Sequence, residues 1–406
     1  MNVDELVRDS LREQAAEQPA LGPGFADRVL TVRRRRRTRA LASAATATAA
    51  VVAIAVAVPL LNIGNDDARL ASRTNRNGIL AHPDQTPPRD MIAAGDLALG
   101  AYYTWETDAH GAAVRAYRIL DPKTGTYVKT SKWSVVDIAP GLRTAAVLER
   151  NLPAKRIGLL DLRTGEVERW IPVDRGVASV EFSPDGSKLL ATTYGKNPQL
   201  RVKSRSDTDG DGEGDWESPP GKPSSRTGFY ILDVASGKGS WSEVTDVGRG
   251  GGPEDCVFNH DGRLVYCGTT SSPFRQYYDF AGDEVAAPAN EVQAERYRGV
   301  GLSPDGKLFG GLSGGTMSKS YTKTHTELLD AYTGKKVTTV PGRQLLAWVD
   351  NKRLIALDLT PGPGSDGSVS RLVLVTIGSD KVVPLSGITK GFDGAAGYWT
   401  PVFAER

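Results

Sequence analysis

The sequence predicts an all-β domain built from repeats, set behind a single apolar segment. Three observations predict it. From Asp96 onward two hairpin signals alternate, one an apolar run into an Asp-Gly turn, the other a strand ending in Leu-Asp before a Gly turn. The Asp anchors of the second signal fall at 121, 161, 233, 279 and 330, with Thr376 in register after them, in steps of 40, 72, 46, 51 and 46 residues. Ahead of them, Ala40 to Ile63 is an uncharged run of 24 residues directly behind a block of arginines.

The first 39 residues are too few to bury a core of their own. Val3, Leu6, Val7 and Leu11 recur at helical spacing, with Asp4 and Glu5 in the first turn, where they complement the helix dipole. Gly22-Pro23-Gly24 ends this helix, and Phe25 to Val32 starts another. Residues 1–39 therefore read as a short cytoplasmic helical tail.

Residues 40–63 read as one transmembrane helix. As a helix the run is about 36 Å long, enough for a hydrocarbon core of about 30 Å. Arg33, Arg34, Arg35, Arg36, Arg37 and Arg39 precede it, while the residues after it mix Arg69, Arg73 and Arg76 with Asp66, Asp67 and Asp84. Positive charge stays on the cytoplasmic side, which places the C-terminal part outside the cell membrane. A cleaved signal peptide with Ala55 and Ala57 at the cut is the competing reading. It would need a leading region of 39 residues and an unusually long apolar run, so the uncleaved, single-pass anchor is adopted.

Charge is local. Residues 1–39 carry nine Arg against six acids, and the rest carries 41 basic against 42 acidic residues. Basic character beside an apolar span suits anionic lipid head groups, and no basic stripe continues into the folded part, which argues against nucleic acid. Two Cys and four His are too few for a zinc framework. Residues 64–92, with Pro83, Pro87 and Pro88, show no sustained periodicity and read as an extended linker.

Residues 93–406 carry the repeats. Phe182-Ser183-Pro184-Asp185-Gly186, Phe258-Asn259-His260-Asp261-Gly262 and Leu302-Ser303-Pro304-Asp305-Gly306 are the clearest copies of the first hairpin, each read as a two-residue Asp-Gly turn with an apolar strand after it. Ile138-Ala139-Pro140-Gly141 and Trp348-Val349-Asp350-Asn351 are degenerate copies. A period in the forties with four short strands per unit predicts a β-propeller. Six second-type hairpins predict six blades; seven follow if residues 85–105 supply their own. The long step of 72 holds an insertion, 201–226. Gly397 to Phe403 is expected to return to the first blade and close the ring.

The Ser-Pro-Asp-Gly hairpins and the repeat resemble the bacterial WD-like propellers of the Tol-system type, here with an N-terminal anchor of actinobacterial type. The resemblance covers about 310 residues and implies the fold, not an activity. The arrangement of short cytoplasmic helices, one span and an external domain resembles bacterial transmembrane anti-sigma factors, although the His and Cys ligands of many such factors are absent.

Four features are weighed as sites. Asp207, Asp209, Asp211, Glu213 and Asp215 place alternate carboxylates in a Gly-rich stretch, the pattern of a calcium loop, but position 12 is Ser218 rather than Glu. A bound calcium ion and a solvated acidic insertion are both open. Cys256 and Cys267 flank the Asp261-Gly262 turn symmetrically, so a two-residue turn would place them opposite one another. A disulfide in an oxidising compartment and two buried thiols are the alternatives. Gly311-Leu312-Ser313-Gly314-Gly315 matches the hydrolase pattern G-x-S-x-G without the helix that pattern needs, and no catalytic residue is assigned. The seven Trp are spread across the repeats and read chiefly as packing between them.

The function expected is that of a membrane-anchored, extracytoplasmic, non-enzymatic binding or scaffold module for a protein, peptide or glycan. The alternatives are a transmembrane signalling regulator with a cytoplasmic partner and an external sensor, and a propeller enzyme such as a lyase or quinoprotein.

Overall fold

The computed structural model describes residues 78–108, 112–203, 216–217, 226–244, 255–269, 272–297, 299–318, 321–361, 368–390 and 398–406. The tail, the span 40–63 and its arginine block lie outside the described residues. Among the described residues no helix is long and apolar enough to cross a membrane.

The second hairpin signal forms as its residue types dictate. The carboxylates of Asp121, Asp161, Asp233, Asp279 and Asp330 accept the backbone N–H two or three residues on, at 2.6 to 2.9 Å. Gly125, Gly165, Gly237, Gly282 and Gly334 then take positive φ, as does Gly378 after Thr376. The first signal differs from the expected two-residue turn. Ser183 N–H donates to Lys188 O (2.9 Å), Asn259 N–H to Leu264 O (2.9 Å) and Ser303 N–H to Leu308 O (2.7 Å), so each loop holds four residues. Only the Gly of each Asp-Gly pair adopts positive φ. The Asp instead caps the turn: the Asp185 and Asp305 carboxylates accept from the Ser183 and Ser303 hydroxyls two residues earlier (2.5 and 2.7 Å).

These hairpins build an all-β, propeller-like arrangement of antiparallel sheets. The first sheet joins Leu97–Thr107, Ala113–Asp121 and Thr126–Thr130, and Thr400–Glu405 pairs with Leu97–Thr107 on its inner side. The C-terminal strand thus closes the arrangement on the first sheet. A seven-stranded sheet follows, running from Trp133–Ile138 to Gly239–Glu243. Its long strand Glu166–Phe182 pairs with Ala154–Asp161 chiefly through its first part and with Lys188–Tyr194 through its second. Four strands from Cys256–Phe258 to Glu284–Val285 form the next sheet. Leu308–Ser318, Tyr321–Asp330 and Lys336–Pro341 form a sheet of three, and Gln344–Trp348 to Val382–Pro384 the last. Within the insertion, Val202–Lys203 pairs with Trp216–Glu217.

Apolar layers fill the seams. Tyr117, Leu120, Val136 and Leu160 share one cluster, Leu148, Ile157, Val177 and Leu189 the next, and Phe229, Phe258 and Val265 another. Each such side chain contributes about 1.5–3 kcal/mol when fully buried. Ile92, Leu99, Ile355, Leu372 and Trp399 pack the last sheet against the first. Residues 78–92, read from the sequence as linker, pack across this closure. Ile79–Leu80 pairs with Ala93–Ala94, His82 bridges Ser386, and Gly387 N–H donates to Gln85 O at 2.7 Å.

Antiparallel succession sorts the connections by end. Every Asp-Gly hairpin and every Asp-capped hairpin lies at one end of the sheets. The connections that follow Tyr194, Glu243, Gly268, Val285 and Pro361 start from the other, the loop-bearing end. Gly78 lies at the turn-bearing end, where its O accepts from the Arg406 guanidinium (2.9 Å).

Candidate functional site

The seam between the sheet of Cys256–Phe258 and the sheet of Leu308–Ser318 is unlike the others. Among the described residues no apolar cluster joins these two sheets. Its centre is polar: buried Glu291 accepts from Asn259 Nδ2 (3.0 Å), His260 N–H (3.2 Å) and Tyr277 Oη (2.9 Å). The innermost strand expected before Ser303-Pro304-Asp305-Gly306 does not form. Gln293–Arg296 is a 3-10 turn instead, and Gly299–Leu302 runs on without entering a ladder. Two carbonyls of this stretch go to side chains: Tyr297 O accepts from Arg275 Nη2 (3.1 Å) and Gly301 O from Trp348 Nε1 (2.8 Å).

The missing strand leaves two openings at the loop-bearing end. One is a cavity of about 500 Å³ walled by Tyr266, Phe274, Arg275, Arg296, Tyr297 and Asp255. The other, about 200 Å³, is lined by Gly310, Gly311, Ser313, Thr326, Arg343 and Gln344. Gly299 borders both.

In the larger cavity the Arg275 guanidinium lies 4.5 Å from the Tyr266 ring centre, and Arg296 lies 5.7 Å from that of Phe274. Stacking of this kind holds a guanidinium flat while leaving donors for an anion. At the cavity wall Asp255 accepts from Tyr194 Oη (2.8 Å), and burial holds its carboxyl above the usual range. Deeper toward the axis, burial pushes Asp137 up to about 7. Glu181 is also raised, by burial and by the neighbouring Asp137 and Asp255. Both carboxyls tie neighbouring units together, Asp137 accepting from Phe182 N–H (2.7 Å) and Glu181 from Phe258 N–H (3.2 Å). The cavity thus combines flat apolar faces with the guanidinium groups of Arg275 and Arg296 and the carboxyls of Asp255 and Glu295, a surface suited to an extended polar chain.

The residues singled out from the sequence are placed as follows. Asp207, Asp209, Asp211, Glu213 and Asp215 lie outside the described residues, as do Arg33, Arg34, Arg35, Arg36, Arg37 and Arg39. Cys256 and Cys267 are cross-strand partners, buried and joined by a disulfide with Cα atoms 4.2 Å apart. Their register survives the longer loop because four residues are also symmetric about Asp261-Gly262. Ser313 sits within the strand Leu308–Ser318, opposite Thr326, not at a strand–turn–helix corner. Trp133 and Trp399 are buried, whereas Trp105, Trp170 and Trp241 carry stacked arginines. Gly311 and Ser313 line the smaller opening, whereas none of the residues of the larger cavity was singled out from the sequence. A signal for them existed: Glu291 to Gly301, which reads EVQAERYRGVG, lacks the apolar alternation of Val177 to Phe182.

No protein-family model matches the chain, and no curated protein matches it. Among solved structures it is similar to hydrazine synthase of Kuenenia stuttgartiensis, at 14% identity over 64% of this chain and 68% of that one, TM-score 0.34. TolB of Acinetobacter baumannii matches at 16% identity over 70% and 66%, TM-score 0.35. The β-propeller domain of Cps50 (Swd1) from Myceliophteria thermophila matches at 12% identity over 72% and 100%, TM-score 0.32.

Proposed function

We propose that this protein is a membrane-anchored, extracytoplasmic binding module whose propeller holds a protein, peptide or glycan at its loop-bearing end, without catalysing a reaction. The observation that carries this reading is the cavity of about 500 Å³ between Tyr266, Phe274, Arg275 and Tyr297, set at the end of the sheets opposite the Asp-capped turns. The reading takes the ring as six blades. The long strand Glu166–Phe182 is counted as the outer strand of the second blade and the inner strand of the third, which supports that count. The arginine block ahead of Ala40 to Ile63 supports the anchor and its orientation.

The test is binding of the detergent-solubilised full-length protein to peptide and glycan arrays, with Arg275→Ala and Lys123→Ala variants in parallel. Lys123 lies on a turn at the opposite end. Retention of the parent on one array, weakened about tenfold by Arg275→Ala and unchanged by Lys123→Ala, is expected. Retention on neither array, or equal loss with both variants, would contradict the reading.

A further inference from the structure

The three-stranded sheet differs from its neighbours in one respect. Elsewhere the innermost position is filled by Thr400–Glu405, Trp133–Ile138, the second part of Glu166–Phe182, Cys256–Phe258 or Gln344–Trp348. Here the sheet begins at Leu308–Ser318, and among the described residues nothing pairs with its inner edge beyond Ser303 N–H on Leu308 O.

An open edge presents backbone donors and acceptors that demand partners, and natural edges are blunted by charge, proline or a cover. Here a cover reaches only the start of the edge: Ala294 and Leu302 pack with Phe309, and Val300 Cγ1 stands 3.2 Å from the point a Cβ on Gly310 would occupy. The edge residues are Gly310-Gly311-Leu312-Ser313-Gly314-Gly315, without charge or proline, and Leu312 is 66% exposed. Beyond Gly310 the glycines present no side chain and residues 312–315 are exposed, so another backbone can approach there. The smaller opening runs along this edge, and the arginines bring positive charge to its surroundings: Arg343 lines it, while Arg275 and Arg296 line the adjoining cavity. Glu295 is the acid on the same 3-10 turn as Arg296, and Asp255 is already engaged with Tyr194.

We propose that the inner edge of Gly311–Gly315 takes an extended, acidic peptide segment of a partner protein, which completes this sheet as its fourth, innermost strand. The proposal rests on the reading that the loop-bearing end binds, and specifies how. Main-chain hydrogen bonds to the bare edge supply affinity, and the arginines select acidic side chains. About five residues at about 3.3 Å each would span the edge.

The experiment selects a random linear peptide library on the full-length protein and titrates the recovered peptide as a synthetic compound. Two analogues carry N-methyl groups on alternate amides, in opposite phases. A paired strand donates from every second amide. One phase is therefore expected to lose about tenfold or more in affinity and the other to lose little. Acidic peptides should dominate the selection, and Arg296→Glu or Arg343→Glu, both at exposed residues, should weaken the parent peptide several-fold. Peptides that bind without dependence on phase, or that are predominantly basic, would overturn strand addition and leave the binding reading standing. Recovery of no peptide while a glycan or folded protein binds the loop-bearing end would do the same. Absence of any ligand would overturn both.

Discussion

The Cδ atom of Pro184 lies 2.7 Å from the point a Cβ on Gly262 would occupy. Pro140 stands likewise 3.3 Å from that point on Gly186, and His260 3.6 Å from it on Gly306. In these three pairs the first residue of one four-residue loop lies over the glycine of the next unit's loop, so the turn chemistry is also a contact between units.

Substitution at these glycines should therefore cost twice, once for the positive φ and once for the neighbour. Gly262→Val and Gly186→Val should each destabilise by more than about 1 kcal/mol, with Gly262→Val the worse because its neighbour is closer. Urea midpoints of the two variants check this. Unchanged midpoints would show that the hairpins are not equivalent parts of one repeat.

Asp137 sets a dependence on pH. Its carboxyl is raised to about 7 by burial, against the usual carboxylate range. Folding therefore favours its neutral form, and the stability this confers is present at acid pH and lost as pH rises through about 7. The full loss is bounded at about 4 kcal/mol by the size of the shift. Glu181 acts in the same direction. Asp185, lowered to about 2 by the Ser183 hydroxyl and Ser187 N–H, acts oppositely but only well below the neutral range. The melting temperature should thus fall as pH rises from about 4 to about 7, between the ordinary and the raised value of Asp137. Asp137→Asn, which keeps an acceptor for Phe182 N–H, should flatten that fall. An equal slope in parent and variant would assign the dependence elsewhere.

The disulfide closes a loop with a sequence separation of 11, and both cysteines are buried. A loop of this size suggests that opening it costs about 2–3 kcal/mol. Melting with and without reductant measures the cost, and the Cys256→Ser/Cys267→Ser double variant should melt near the reduced parent and ignore reductant. A parent that ignores reductant would contradict the prediction.

The proposed orientation has its own test. Protease added to intact spheroplasts should remove residues beyond Gly64 and leave a short protected fragment that contains Arg33–Arg39. A full-length chain that survives the treatment, while a known external protein is cut, would reverse the assignment.

The repeat was legible in the sequence because its turns need particular residues. Asp121 and its successors cap a turn, and Gly125 and its successors accept positive φ. The returning C-terminal strand was legible too, since a ring of sheets must bury its ends: Thr400–Glu405 lies beside Leu97–Thr107. The cavity was not. It arises where a strand fails to form, and Arg275, Tyr266 and Tyr297 meet across a seam rather than within a motif. The packing of residues 78–92 was hidden for a similar reason. It rests on contacts such as that between Trp399 Nε1 and Thr389 Oγ1 (3.0 Å), beside the Thr86 hydroxyl on Thr389 (2.7 Å), which leave no local periodicity.

The vacant edge is tested most directly by amide hydrogen exchange in the ligand-free, full-length protein. Lys188–Tyr194 is paired on both sides, whereas Leu308–Ser318 is paired along one. Amides of Gly311–Gly315 are expected to exchange at least about tenfold faster, on average, than those of Leu189–Thr193. Equal protection in the two stretches would mean that the innermost position of the sheet is already filled, and would contradict the account.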